Sequence, residues 1–411
     1  MRHLEAYRGI VSDAILADLY ERAARLRDRH VVHINSTAQG GGVAEILHTL
    51  VPLMNDVGVR CGWRVLVGTP DFFDVTKAFH NGLQGESIGL TEHNKVVHAE
   101  VNEEFAAYTH LSAHDAVIIH DPQPLPMIRF CEKTQPWVWR CHIDLTDPDP
   151  ELWAYLKEDV SRYDLMIVSH EQYLRPDIDV EQRIIHPAID PLSPKNIDLS
   201  EEVIAECLGR FDIPLDKPLI TQVSRFDKWK DPEGVIEVFR RVLERVDCRL
   251  VLAGNLATDD PEGIDVYNRV KNGAAEMIES GQLIMLIGAS DIEINALQRV
   301  SSVIMQKSLK EGFGLTISEA MWKQTPVVAS RVGGIPLQVV DGETGFLVDP
   351  NDYDGCADRV VAVLTDRPMA VEMALRGKEY VREHFLITRL LGDDLDLLHD
   401  VIEGRLAVAT V

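Results

Sequence analysis

The sequence predicts an α/β protein made of two doubly wound parallel sheets, one in each half of the chain, with ligands gathered where the halves face each other. Three observations carry this reading. Short, nearly uninterrupted apolar runs recur along the whole chain at α/β spacing, as expected of strands covered by helices on both faces. At 411 residues the chain exceeds what one ordinary core organises, so two domains are expected. Around Ala188-Ile189-Asp190-Pro191-Leu192-Ser193-Pro194 the periodicity stops and prolines accumulate, which marks a hinge between the two series.

Composition narrows the function. Hydrophobic content of 45% and charged content of 26% are those of a soluble globular protein. No apolar run approaches the length of a membrane span, and the start leads into a charged, helix-like segment instead of a secretory core. A net charge of −25 argues against nucleic acid and anionic membranes as partners. It leaves room for a small phosphorylated ligand, which responds to local charge. The six cysteines are scattered without metal-ligand spacing, and read as buried thiols in a reducing, cytoplasmic setting.

Taken in order, residues 4–29 are amphipathic and predict a helix with Leu16, Leu19, Ala23 and Leu26 near one face. A first strand, His30 to Asn35, runs into Ser36-Thr37-Ala38-Gln39-Gly40-Gly41-Gly42 and then a helix from Val43. Strand, glycine turn, helix is the phosphate-cradling arrangement of open α/β sheets, although the dinucleotide pattern G-x-G-x-x-G is absent. Further strands are expected at 63–67, 116–120, 137–139 and 165–168. Polar residues cluster just after two of them: Asp121 and Gln123, then Arg140, His142 and Asp144. Residues 72–81 mix aromatic and polar side chains, as either a sugar platform or a partly exposed helix would.

The second series starts with a strand near 219–224, continues with strands near 250–253, 283–287, 303–306 and 326–329, and ends in helix from about 369. After its first strand comes Ser224-Arg225-Phe226-Asp227-Lys228-Trp229-Lys230. A guanidinium and an ammonium at a strand carboxyl end suit a diphosphate, and such a basic cluster is unexpected in so acidic a chain. The strand at 303–306 runs into Glu311-Gly312-Phe313-Gly314-Leu315-Thr316-Ile317-Ser318-Glu319. Its glycines allow a sharp bend and close backbone approach, and the helix that follows aims its N–H groups at an anion. Carboxylates repel phosphate, so Glu311 and Glu319 are better suited to sugar or ribose hydroxyls. Thr316 and Glu319 also spell a capping box, which by itself would account for that glutamate.

Together, Gly40-Gly41-Gly42, Arg225 with Lys230, and Glu311-x7-Glu319 around Gly312-Phe313-Gly314 resemble the retaining GT-B glycosyltransferases of family four, over almost the whole chain. Residues 72–81, His120-Asp121-Pro122-Gln123-Pro124, Trp139-Arg140-Cys141-His142-Ile143-Asp144 and 311–323 are more narrowly similar to the trehalose glycosyltransferring synthases. The resemblance implies two Rossmann-like domains facing across a cleft: an acceptor domain at 1–190, a nucleotide-sugar domain at 191–385, and a C-terminal helix at 386–411 returning to the first.

It implies a nucleoside-diphosphate glucose as donor and free glucose as acceptor, giving α,α-trehalose. Arg225 and Lys230 would hold the diphosphate, with Gly41 and Gly42 offering N–H groups to it. Glu319 would hold the ribose and Glu311 the transferred glucose, within a donor site completed by Gly312, Phe313, Gly314, Leu315 and Thr316. His142 would touch that sugar near the reaction centre. The acceptor set would be Lys77, His80, Asn81, Asp121, Gln123, Arg140 and His142. No metal site is part of the pattern, although Asp147-Pro148-Asp149 has the spelling of one and a divalent cation requirement stays open. No covalent cofactor is implied, and a homodimer is left open. A trehalose phosphorylase, a family-four enzyme with another sugar acceptor, and a non-catalytic sugar-nucleotide sensor are the competing readings.

Overall fold

The computed structural model describes residues 2–254 and 261–406. The chain divides into two compact units, residues 2–188 with 387–406, and residues 189–386.

The first unit is built on a six-stranded sheet of β1 (His30–Asn35), β2 (Arg60–Val65), β3 (Ala116–His120), β4 (Trp137–Arg140), β5 (Leu165–Val168) and β6 (Glu181–Ile184). Their order is β2-β1-β3-β4-β5-β6, with every pairing parallel. Every residue of β3, β4 and β5 is buried, which is why those strands read as unbroken apolar runs. In contrast, β6 has the sequence Glu-Gln-Arg-Ile on a half-exposed edge and carries no apolar signal. The core on one face of the sheet gathers Phe79, Leu83, Trp137, Trp139, Leu152 and Tyr173.

The N-terminal segment, expected as one helix, is broken. A short 3-10 turn at Leu4–Tyr7 is followed by Gly9 at φ 87°, and the helix proper spans Asp13–Ala24 with Ser12 as its cap. A residue in the left-handed region cannot continue a right-handed helix. The buried face is Leu16, Leu19 and Ala23, followed by Leu26. It packs on the last helix, Ile387–Ile402, where Gly392 lets Leu19 approach closely. That last helix also meets the sheet through an ion pair between Arg140, at the end of β4, and Asp394.

The second unit repeats the architecture with β7 (Leu219–Val223), β8 (Arg249–Gly254), β9 (Leu283–Ile287), β10 (Val303–Gln306), β11 (Val327–Ser330) and β12 (Phe346–Val348). The order is β12-β11-β10-β7-β8-β9, again parallel throughout. Its helix Pro232–Leu243 buries Val235, Val238, Phe239 and Val242 in one core cluster with Leu250 and Val360. All six cysteines are free thiols; Cys131 is partly exposed and the other five are buried.

Candidate functional site

In the second unit the strand order reverses between β7 and β10, so the loops leaving their carboxyl ends diverge and open a crevice. Gln222, buried in β7, stitches the two loops together: its amide donates to the Lys230 carbonyl at 3.0 Å and accepts from the Lys307 N–H at 3.0 Å. A further link runs from the Leu309 N–H to the Trp229 carbonyl at 2.7 Å. Arg225, 44% exposed, stands beside Asp227, whose buried carboxylate caps the turn Lys228–Lys230.

Lys230 Nζ meets Glu311 Oε2 at 2.5 Å, and Ser308 Oγ donates to the same oxygen at 3.1 Å. Two residues assigned to different parts of a ligand are therefore paired with each other. The pairing answers the repulsion a lone carboxylate would exert on phosphate, because Glu311 brings its own counter-charge.

The glycine turn works as its sequence suggests. Gly314, at φ 87°, ends the loop, and a Cβ there would lie 3.2 Å from the Glu311 side chain. The helix Leu315–Trp322 starts directly after it, with no side chain capping its first N–H groups. The capping box does not form. Thr316 already lies inside the helix and its hydroxyl donates to the Val223 carbonyl at 3.3 Å, while Glu319 sits a full turn in. Buried at 3% exposure, Glu319 accepts from Gln298 at 3.3 Å and faces Lys195 at 3.9 Å, so helix capping does not explain it. The ring of Phe313 packs on Phe385, and Gln338 donates to its carbonyl at 2.5 Å. Phe313 thus holds the loop in place and has no ring to offer a ligand. Gly312 on this loop and Leu315 at the helix start are half-buried.

In the first unit the reversal lies between β1 and β3. Gly41 and Gly42 are exposed where the helix Gly42–Asp56 begins, with Gly40 and Gly41 at φ 75° and 92°. The loop is braced by Asn35 donating to the Thr37 carbonyl at 2.7 Å and by His48 reaching the Ala38 carbonyl at 2.9 Å. From β3, Asp121 adopts φ 62° and its carboxylate accepts the His142 N–H at 2.7 Å. Burial raises the Asp121 carboxyl to about 7, so it carries only part of a charge at neutral pH. Gln123 is half-buried next to it.

One expectation needs correction, and one open choice is resolved. Arg140 is not an acceptor contact: its side chain is 4% exposed, and Nη1 is held by both Asp394 oxygens at 3.0 and 2.9 Å. Of the two readings of residues 72–81, the partly exposed helix is the one that forms, within Pro70–Leu83, with Phe72 and Phe79 fully buried and Phe73 half-buried. Lys77 and His80 remain partly exposed on that helix and Asn81 is buried near its end, where the Asp149 N–H donates to the Gly82 carbonyl at 2.8 Å. Asp149 itself caps the helix Pro150–Val160, accepting from the Leu152 N–H at 2.9 Å. Among the described residues no group of three or more His, Cys, Asp or Glu is placed to hold a metal.

Sequence reading passed over His33 and His120. His33 Nδ1 lies 2.9 Å from His120 Nε2, and His120 Nδ1 lies 2.9 Å from His142 Nε2. Burial, reinforced by the nearby Arg140 charge, lowers His33 and His142 to about 3 and His120 well below its ordinary value. The rings are therefore neutral in the folded chain. With folded values below the unfolded 6.5, they contribute full stability above pH 6.5 and lose it as pH falls toward 3. His33→Leu should shrink the drop in unfolding free energy between pH 7 and pH 5 by about 2 kcal/mol, read from urea midpoints. An unchanged drop would mean that His33 is protonated while folded.

Comparison with known proteins fits this geometry. Residues 33–175 match the trehalose synthase N-terminal domain, and residues 208–382 match the glycosyl transferases group 1. A trehalose synthase from Thermococcus litoralis is 48% identical over 401 residues, covering 97% of both chains. The chain belongs to the trehalose synthase family. It is a glycosyltransferase with the GT-B fold: an α,α-trehalose-phosphate synthase (UDP-forming) from Burkholderia xenovorans in complex with glucose-6-phosphate superposes with a TM-score of 0.73 at 13% identity, over 90% of this chain and 100% of that one. A trehalose phosphorylase from Pleurotus pulmonarius is a more distant relative of this trehalose synthase family member, 29% identical over 433 residues that cover 93% of this chain and 58% of the other. Among the described residues no helix is long and apolar enough to cross a membrane.

Proposed function

We propose that the protein transfers glucose from a nucleoside-diphosphate glucose to free glucose, retaining configuration at the donor anomeric carbon, to give α,α-trehalose reversibly in the cytoplasm. The observation that carries this is the Lys230–Glu311 pair at the β7–β10 reversal, next to the uncapped helix start at Leu315. A diphosphate arriving there would draw Lys230 and Arg225; in the first unit, the N–H groups of Gly41 and Gly42 would suit the same class of anion. Glu311 would then be released toward hydroxyls of the transferred glucose. Glu319 would hold the ribose. Residues 191–385 are accordingly the donor domain and residues 1–190 the acceptor domain, with 386–411 completing the latter.

In the transfer, the bond from the anomeric carbon to the phosphate oxygen breaks as the acceptor's anomeric hydroxyl oxygen bonds to the same face. The acceptor proton passes to the departing phosphate. The chain's part is to position two sugars and stabilise the growing diphosphate charge. His142 would contact the donor sugar near the reaction centre, and Asp121, Gln123, Lys77, His80 and Asn81 would hold the acceptor. With Arg140 committed to Asp394, Lys77 is the remaining cation of that set, which suits a neutral acceptor better than a phosphorylated one.

The test is to supply ADP-, UDP- or GDP-glucose with equal free glucose and glucose-6-phosphate, with and without a chelator. The 1,1-linked α,α disaccharide of free glucose is the expected product. Preference for glucose-6-phosphate, or another linkage, overturns the acceptor assignment. Phosphorolysis of trehalose by inorganic phosphate would instead favour a phosphorylase.

The two glutamates should separate. Glu319→Ala is expected to weaken binding of the free nucleoside diphosphate roughly tenfold or more, the scale of a lost hydrogen bond to a charged group. Glu311→Ala should depress turnover with little change in that affinity. Calorimetry with the nucleotide alone distinguishes them, and equal effects of both variants on nucleotide binding would refute the division of roles.

A further inference from the structure

We infer that His33 and His120 are positioning residues, a buried relay of imidazoles that fixes His142 as a hydrogen-bond donor at Nδ1. This rests on the reading that His142 faces the reacting sugar, but its structural half stands without it. All three rings lie in the first unit: His33 in β1, His120 at the end of β3, and His142 just after β4. Because β1, β3 and β4 are consecutive neighbours in the sheet, their carboxyl ends carry the rings side by side. Ring centroids are 5.2 Å apart at both steps.

A neutral imidazole has one N–H and one bare nitrogen, so two links in series leave two proton orders. In the first, His33 Nδ1–H donates to His120 Nε2, and His120 Nδ1–H donates to His142 Nε2. His142 then carries its proton on Nδ1. In the second order every proton is reversed, and His142 Nδ1 becomes an acceptor.

The far end of the relay decides between them. His33 Nε2 is buried with no hydrogen-bond partner. In the first order that atom is a bare lone pair; in the second it is an orphaned N–H. Buried N–H groups without acceptors are the rarer and costlier of the two. The first order therefore prevails. At the near end, His142 Nε2 is committed to His120, and Nδ1 is absent from the buried unpaired atoms among the described residues. His142 thus presents a donor of fixed sense to a ligand oxygen, set by a residue two rings away. Neutrality matters as much as order, since a proton added to the chain would break one link, and burial beside Arg140 holds protons off.

Long-range nitrogen–proton correlation spectra of the full-length, histidine-labelled protein read the tautomer directly. The expected wild-type signature is a protonated Nδ1 and a bare Nε2 on His142. His33→Leu should scramble it and lower kcat about tenfold or more, with KM for either sugar nearly unchanged; the scale follows from other residues that act by fixing an imidazole. His33→Asn, whose amide can donate where Nδ1 did, should restore both. A wild-type His142 protonated on Nε2 overturns the inference, and so does a folded His33→Leu protein with unchanged spectrum and kcat. If no glucose transfer is found, the spectrum still decides the proton order, so failure of the functional reading and failure of the relay are told apart.

Discussion

Replacing Lys230 with alanine is expected to lower kcat/KM for glucosyl transfer by about a hundredfold or more, the effect of removing one preorganised donor to a charge that grows in the transition state. Two losses combine. The diphosphate loses an ammonium, and Glu311, 9% exposed, loses the Lys230 ammonium that faces it. That second loss is one of stability and can be separated. Lys230→Ala with Glu311→Gln should regain thermal stability relative to Lys230→Ala alone while staying inactive. Arg225→Ala should lower activity on a similar scale with little loss of stability, because that guanidinium is 44% exposed. Near-normal turnover in a folded Lys230→Ala protein would move the diphosphate site elsewhere.

Arg140→Met is expected to destabilise the first unit by about 3–5 kcal/mol, as breaking one side of a buried ion pair does. Arg140 and Asp394 are 4% and 3% exposed, so neither can turn to water when its partner is lost. Burial pushes the Asp394 carboxyl up and Arg140 pulls it back, so without the arginine the aspartate would take up a proton, which offsets part of the loss. Arg140→Met with Asp394→Leu should recover most of the stability, since apolar groups of similar volume can replace a buried pair. Calorimetric unfolding of the three variants checks this. A single variant as stable as wild type but impaired in glucose binding would return Arg140 to the acceptor site.

What could be read from the sequence followed from how one-sided each signal was. Strands β3, β4, β5, β7, β8 and β10 are almost wholly buried, and a buried parallel strand has to be apolar along its length. An edge strand such as β6 has no such constraint and gave no signal. At the site, Arg225, Lys230, Glu311 and the turn at Gly314 were visible because charge and glycine are rare at buried strand ends. Arg140 looked the same on paper. Its partner is 254 residues away, and no local pattern reveals a pair that only the tertiary fold creates. His33 and His120 escaped for a related reason: each is a single polar residue in an apolar strand, and their meaning lies in three strands being neighbours. The capping-box reading of Glu319 failed because the helix starts at Leu315, two residues too early for Thr316 to cap it.

The pairing of Arg140 with the last helix also sets an order in time. The first 188 residues leave the ribosome long before residues 387–406, and residues 189–386 emerge between them. At 5–20 residues per second, the 254 residues from Arg140 to Asp394 take roughly 13–50 s. Throughout that interval the nascent first unit holds an arginine whose counter-ion does not yet exist, and the apolar surface around Leu16 and Leu19 has not yet met the last helix. Completion of the first unit therefore waits on translation of the second, and a chain truncated before Asp394 would yield a first unit missing the charge that closes it.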